Sequence, residues 1–314
     1  LDPITPTNVV INGATRRGAK EGIKPVGAES GTLFIQRAGK ALREFLFSDV
    51  ELSYISNNIS LLSSHLLKNP TDMALRKATS TTDGDLLLLV NATDGSLATY
   101  SILRGQNVIA PSLSTTDGTF EKVGVDVDQI YFVIKRTISS STKYYVECFN
   151  DDNTTDSSKL LSGGSKPSTT TVTGLSHLEG KTVKVIADDS MQNDKTVSSG
   201  QITLDAVPTT YVEIGLDYTP EVKTLPVELK LSSGNIVAQK KRIIEATCNL
   251  YLSQNLTLNG KDFLFTVGSG QFFTGKKRRK PMLGFDREGQ MTFSQSSPLF
   301  FTLLGVEYKV SVGQ

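Results

Sequence analysis

His65 and His177 are the only imidazoles in this 314-residue chain, so any catalytic dyad or triad built on a basic ring must use one of them. Neither lies in a nucleophile motif. His65 sits in a stretch, 57–67, where Ile59, Leu62, Leu66 and Leu67 recur at three-to-four spacing behind Asn57 or Asn58 as N-cap. That pattern predicts a short helix with His65 on its apolar side, a core histidine bonded to backbone. His177 and Glu179 share one face if their segment is a strand, but two ligands without a third do not make a zinc site. Asp126 with Asp128 and Asp151 with Asp152 are the carboxylate pairs that could serve glycoside hydrolysis. They fall in turn-like or polar sequence, where solvated side chains are expected. The chain has no Trp, the best sugar-stacking side chain, although its 9 Tyr could substitute. Cys148 and Cys248 form no CxxC pair and predict two buried thiols, with a disulfide left open. Gly163-Gly164 and Gly268-Ser269-Gly270 lack the strand-to-helix setting of a phosphate cradle. No catalytic residue, metal or cofactor is expected.

One charge cluster remains, Lys276, Lys277, Arg278, Arg279 and Lys280, between Gly275 and Pro281. Five adjacent cations repel and are costly to desolvate, so the segment is predicted to be an exposed, protruding hairpin tip. It is either simply solvated or meets an acidic partner surface or the phosphates of DNA in a channel. A subunit contact is favoured over a DNA grip, because tight binding would hinder DNA passage. The chain as a whole carries 33 basic and 32 acidic residues, a net charge of +1, and so has no global field for nucleic acid or an anionic membrane. No apolar run approaches the length of a bilayer span, so no membrane anchor is expected.

The elements that must hold these residues are read as strands. With 38% hydrophobic and 21% charged residues the chain has the composition of a folded globular protein. Apolar residues alternate or come in runs of four to eight between Asp-Gly, Ser-Gly and Asn-Gly turns. The fold class is all-β: partial β-propeller-like blades followed by small β-barrel or β-sandwich modules. Apolar strands at 33–37, 86–91 and 131–136 recur at about the length of a four-stranded blade. Strands at 86–91, 97–103, 107–113 and 119–125 are read as one blade, the next starting at 130. Residues 1–138 are assigned to the blade-like region, 139–225 to a β region with a small inserted barrel-like module, and 226–314 to a C-terminal β domain with a core rich in Phe and Leu. The polar stretch 150–173 reads as a long surface loop. In the inserted module, strands are expected at 182–187, 201–204 and 211–214. In the C-terminal domain they are expected at 227–231, 242–252, 263–267, 291–293 and 299–312. The Leu1-Asp2-Pro3 start, without initiator Met or signal pattern, is read as a cut or processed end.

Three stretches together resemble the nozzle proteins of podoviral phage tails, also called tail tubular protein B. The first is Leu33-Phe34-Ile35-Gln36-Arg37 with Leu42-Arg43-Glu44-Phe45, Tyr54 and 58–66; Asn58-Ile59-Ser60 stands where the family has an acidic dipeptide. The second runs from Asp94-Gly95-Ser96-Leu97-Ala98-Thr99-Tyr100 through 133–138 to Tyr144-Tyr145-Val146-Glu147. The third is 173–183 with Ala187-Asp188, 197–200 and Ile214-Gly215-Leu216-Asp217-Tyr218. The resemblance implies a non-enzymatic virion protein, located in the phage tail and in host cytoplasm during assembly. It would form a homo-oligomeric tube, in the family a hexamer, below the portal and adaptor ring and near the tail fibres, and conduct viral DNA to the host. It also implies a propeller that begins upstream of residue 1. The alternative left open is a free-standing propeller-type module that binds protein or glycan.

Overall fold

The computed structural model describes residues 5–7, 13, 15–29, 31–80, 83–228, 230–231, 234–235, 239–265, 268, 270–281 and 284–313. The chain divides into two compact units, 1–150 and 151–314. Residues 229, 266, 267 and 269, within the strands expected at 227–231 and 263–267 and the Gly-Ser-Gly loop, lie outside the described set.

The first unit is all antiparallel sheet. Strands β1 (Val26–Gly27), β2 (Thr32–Ile35), β3 (Leu42–Ser48) and β4 (Ser53–Asn58) form one sheet. β5 (Pro70–Arg76), β6 (Asp85–Asn91), β7 (Leu97–Leu103) and β8 (Val108–Ser114) form a second, and β9 (Thr119–Asp126), β10 (Gln129–Ile138) and β11 (Ser141–Cys148) a third. Each is an up-and-down meander. The three stack face to face, and the sequence of β6 shows why. Its continuous run Leu87-Leu88-Leu89-Val90 is buried on both sides, as expected of a strand covered on both faces. Leu87 and Leu89 join Leu33, Ile35, Leu42, Ala98 and Tyr100 in one core with the first sheet. Leu88 and Val90 join Leu97, Phe120, Ile130 and Phe132 in another with the third.

The blade boundary lies one strand earlier than the sequence reading placed it. Strand β9 does not complete the β6–β8 sheet; it pairs with β10 and opens the next one. At that junction Phe120 N–H donates to Gly95 O at 2.9 Å. Gly95 has φ +66°, and a Cβ there would lie 2.3 Å from the Thr119 side chain, so the Asp94-Gly95 turn admits only glycine. The expected helix at 57–67 is absent. Asn57 and Asn58 continue β4 opposite Glu44 and Arg43, and Ser60 Oγ accepts Leu42 N–H at 2.9 Å, so backbone pairing with β3 outcompetes the helical period. Only a 3-10 turn at Ser64–Leu66 remains, and His65 is exposed, not a core residue.

In the second unit, β12 (Asp156–Ser162), β13 (Thr171–Thr173), β14 (Thr182–Ala187), β15 (Ser190–Met191), β16 (Lys195–Thr196), β17 (Gln201–Thr203) and β18 (Tyr211–Leu216) enclose a Val, Ile and Leu core. The expected loop at 150–173 is thus partly strand, since β12 pairs with β18 and β13 with β17. Glu213 explains how so polar a segment is fixed. Its carboxylate is buried and accepts the backbone N–H of Thr154 and Thr155 at 2.9 and 2.7 Å, together with both threonine hydroxyls. Burial pushes its pKa up against those hydrogen bonds. The same economy recurs at Asp188, which accepts the N–H and hydroxyl groups of Thr209 and Thr210. Burial acts to raise its pKa, but the hydrogen bonds from Thr210 and Thr209 outweigh it and hold the carboxyl well below the usual range.

The remaining strands are β19 (Glu221–Lys223), β20 (Lys230–Leu231), β21 (Gly234–Asn235), β22 (Lys241–Ser253), β23 (Thr257–Leu258), β24 (Lys261–Asp262), β25 (Phe273–Arg279), β26 (Thr292–Ser294) and β27 (Thr302–Val312). The long sheet β25-β22-β27 covers a core of Ile243, Cys248, Leu250, Leu256, Leu258, Phe263, Met291 and Phe293. Cys248 is buried as expected and its thiol is pushed up to about 11 by burial; Cys148, in contrast, is exposed on β11 and both thiols are free.

Two measurements check this architecture. Leu87→Ala and Leu88→Ala should each cost about 2–5 kcal/mol in urea unfolding, because the two side chains fill opposite, equally covered faces; a sheet covered on one side only would be sensitive at one position. Asp188 has a lowered folded-state pKa, so its contribution is present above the unfolded value and is lost as pH falls below about 4. Asp188→Asn should therefore flatten the acid side of the thermal stability curve.

Candidate assembly surfaces

The basic cluster is not a hairpin tip. Lys276, Lys277, Arg278 and Arg279 form the C-terminal half of strand β25, paired in register with β22: Asn249↔Lys276, Cys248↔Lys277, Thr247↔Arg278, Ala246↔Arg279. Lys280 follows the strand and is exposed. A strand resolves the repulsion that suggested a loop, because alternate side chains point to opposite faces. Lys276 and Arg278 stand on the outer face, and Lys276 Nζ meets Glu307 Oε1 at 2.5 Å across the sheet. Arg278 is 3.8 Å from Glu245.

Lys277 and Arg279 turn to the other face, where they are half-buried against aromatic rings. Lys277 Nζ lies 4.9 and 4.5 Å from the ring centroids of Phe265 and Phe273 and donates to Leu264 O. The Arg279 guanidinium lies 6.0 Å from Phe263. Phe263, Leu264 and the four strand cations Lys276 to Arg279 line an open groove of about 300 Å³. The cations are thus distributed between carboxylates and aromatic faces instead of forming one bare positive patch. Among the described residues β25 pairs on one side only, and lysines on such an edge discourage uncontrolled strand addition. The cation–aromatic contacts could not be read from the run itself, because Phe263 and Phe265 are distant in sequence.

A second surface was not anticipated. The outer face of the β9–β11 sheet carries Tyr131, Val133 and Lys135 opposite Cys148, Val146 and Tyr144. Tyr144 is 65% and Val146 75% exposed. At the opposite end of the stack, the outer face of the β1–β4 sheet carries Phe45 and Phe47 beside Tyr54, whose ring centroid is 5.1 Å from that of Phe45 and 5.3 Å from that of Phe47. Phe47 and Tyr54 are about half exposed. The sequence signal lies in β10, where Tyr131 and Val133 put apolar side chains on the outer face while Ile130, Phe132 and Ile134 fill the inner one.

The residues weighed for catalysis are dispersed. Asp126 and Asp128 flank the β9–β10 turn, and Asp151 and Asp152 precede β12; all four are exposed. His177 lies on a 3-10 turn, not a strand, with Nε2 3.2 Å from Ser157 O. Glu179 accepts the N–H groups of Ser199 and Gly200, at 2.9 and 2.6 Å, and so closes a turn.

No protein-family model matches the sequence, and no curated protein does. Among solved structures, the chain is similar to two variants of an exo-β-1,3-galactanase from Phanerochaete chrysosporium, both with β-1,3-galactotriose, at 8% identity and a TM-score of 0.26. The match covers 90% of this chain and 65% of theirs. An α-xylosidase from Xanthomonas citri matches at 10% identity and a TM-score of 0.17, over 76% of this chain and 35% of that one. Likenesses this distant carry no argument about activity.

The distribution of the cations gives a differential prediction. Replacing Lys276, Arg278 and Lys280 with Ser should change the unfolding free energy by no more than about 1 kcal/mol, since exposed pairs contribute little. Replacing Lys277 and Arg279 should cost about 1–2 kcal/mol, through two cation–aromatic contacts and their packed stems. Equal effects in chemical denaturation would contradict the alternation.

Proposed function

We propose that this chain is a non-catalytic structural subunit that works by assembling, a component of the tube of a short phage tail. The observation that carries the proposal is the open three-sheet stack of the first unit. Both end faces present aromatic and branched side chains of the kind buried between the sheets inside it. Exposed apolar side chains grouped on one face mark interaction surfaces. The order of the motifs at 33–66, 94–147 and 173–218 supports the tail-tube reading. In that setting the partners are further copies of the chain, an adaptor or portal ring, tail fibres, and DNA in passage, and the setting is the virion, with host cytoplasm during assembly. The edge strand β25, with Lys276 and Arg278 exposed at strand spacing, is read as a contact for an acidic neighbouring subunit in preference to a grip on DNA, because tight binding would hinder DNA passage.

Negative-stain imaging of the purified protein tests the reading: it predicts rings with a central opening, and solitary particles at every concentration would contradict it. The Ser variant of Lys276, Arg278 and Lys280 should assemble more slowly than the parent at low salt. The difference should shrink as the Debye length falls to about 8 Å near physiological ionic strength.

A further inference from the structure

We propose that a pocket beside Lys241, at the start of β22, is a binding site for a small carboxylate, with the Lys241 ammonium as its counter-ion. The inference is independent of the assembly reading, and every residue that carries it belongs to the second unit.

Lys241 is only 1% exposed, a rare state for a lysine. Buried Arg136, Arg43 and Glu213 are each matched, by Glu147, by Gln36 Oε1 with Ser56 O, and by two threonines. Lys241 is the exception: among the described residues its ammonium has no hydrogen-bond acceptor and no carboxylate in ion-pair contact, and Asp286 feels its charge without touching it. A buried ammonium without a partner is costly, so a site that keeps one is short of an anionic acceptor. The side chain is also held in place. The Lys241 backbone exchanges hydrogen bonds with that of Asp286 at 2.7 and 2.9 Å, and the stem lies across Gly289, where a Cβ would come within 3.1 Å of Lys241 Cγ.

Together with Ile243, Phe285, Asp286 and Gln290, Lys241 lines an open pocket of about 220 Å³. Ile243 and Phe285 supply apolar surface, which suits the body of a small organic acid. Asp286 sets the charge that the pocket accepts. The backbone N–H groups of Gly289, Arg287 and Glu288 hold its pKa below the usual carboxylate range, and the charge of Lys241 adds to this. A fixed negative charge in the wall opposes a dianion such as phosphate more than a monoanion, and one ammonium matches one carboxylate. Arg287 and Glu288, on the same turn, are exposed and do not line the pocket.

Saturation-transfer NMR and thermal unfolding of the whole chain with acetate, benzoate or inorganic phosphate test this, with two variants beside the parent. Lys241→Met removes the charge and keeps an unbranched stem. Gly284→Val puts bulk into the pocket, since a Cβ at Gly284 meets nothing within 4 Å, and leaves Lys241 in place. Acetate or benzoate should show saturation transfer and raise the parent's Tm as its concentration rises. Affinity should fall about tenfold or more in both variants, the loss expected when a buried charge partner is removed or blocked. Without ligand, Lys241→Met should unfold no earlier than the parent, because an unmatched buried ammonium contributes nothing favourable. A lower Tm for that variant overturns the premise that the ammonium lacks a partner. No response to either carboxylate, unchanged affinity in either variant, or phosphate bound as tightly as benzoate overturns the proposal. None of these outcomes bears on ring formation, which imaging decides separately.

Discussion

Strand β6 buries four consecutive apolar side chains, two on each face, and a sheet built around it must be covered from both sides. That constraint organises the first unit. It places the β1–β4 sheet on one side and the β9–β11 sheet on the other, and it makes polar corrections at the sheet ends local. Buried Asn91 takes the N–H of Lys68 and donates to Leu66 O and Ser96 Oγ, fixing the β6–β7 turn. Arg136, buried in the third sheet, meets Glu147 through two parallel hydrogen bonds at 2.7 and 2.8 Å, so its charge is matched where water is excluded. On the outer sheets, Phe47, Tyr54, Tyr144 and Val146 are exposed among the described residues.

Much of this was legible in the sequence. The all-β class followed from alternation and Asp-Gly turns. Strand β14 falls where the sequence puts it, and β17 and β18 differ by a residue or two at one end. The errors share a physical origin. The 57–67 segment has a helical period, but Asn57, Asn58 and Ser60 spend their polar groups on β3, a pairing partner that no local window contains. The segment 150–173 is too polar to nucleate a strand, and is ordered by a carboxylate, Glu213, some sixty positions away. The exposure of Cys148 follows from its place on an uncovered sheet face, where the general tendency of thiols to be buried does not apply.

The basic run shows the same limit at the candidate site. Five cations in sequence suggest one exposed patch, but strand alternation divides the first four between Glu245 and Glu307 on one face and Phe263, Phe265 and Phe273 on the other, with Lys280 past the strand end. Lys276 and Arg278 thus have carboxylates beside them but stay largely exposed, while Lys277 and Arg279 are half-buried.

The central claim is that these end faces are contact surfaces. Hydroxyl-radical footprinting reads it directly, because Tyr131, Tyr144, Phe47 and Tyr54 are both reactive and solvent-facing. The account predicts that all four become protected together as protein concentration rises, while the exposed Tyr218 of the second unit keeps its reactivity. Unchanged reactivity of the four in a sample shown to be associated would contradict it.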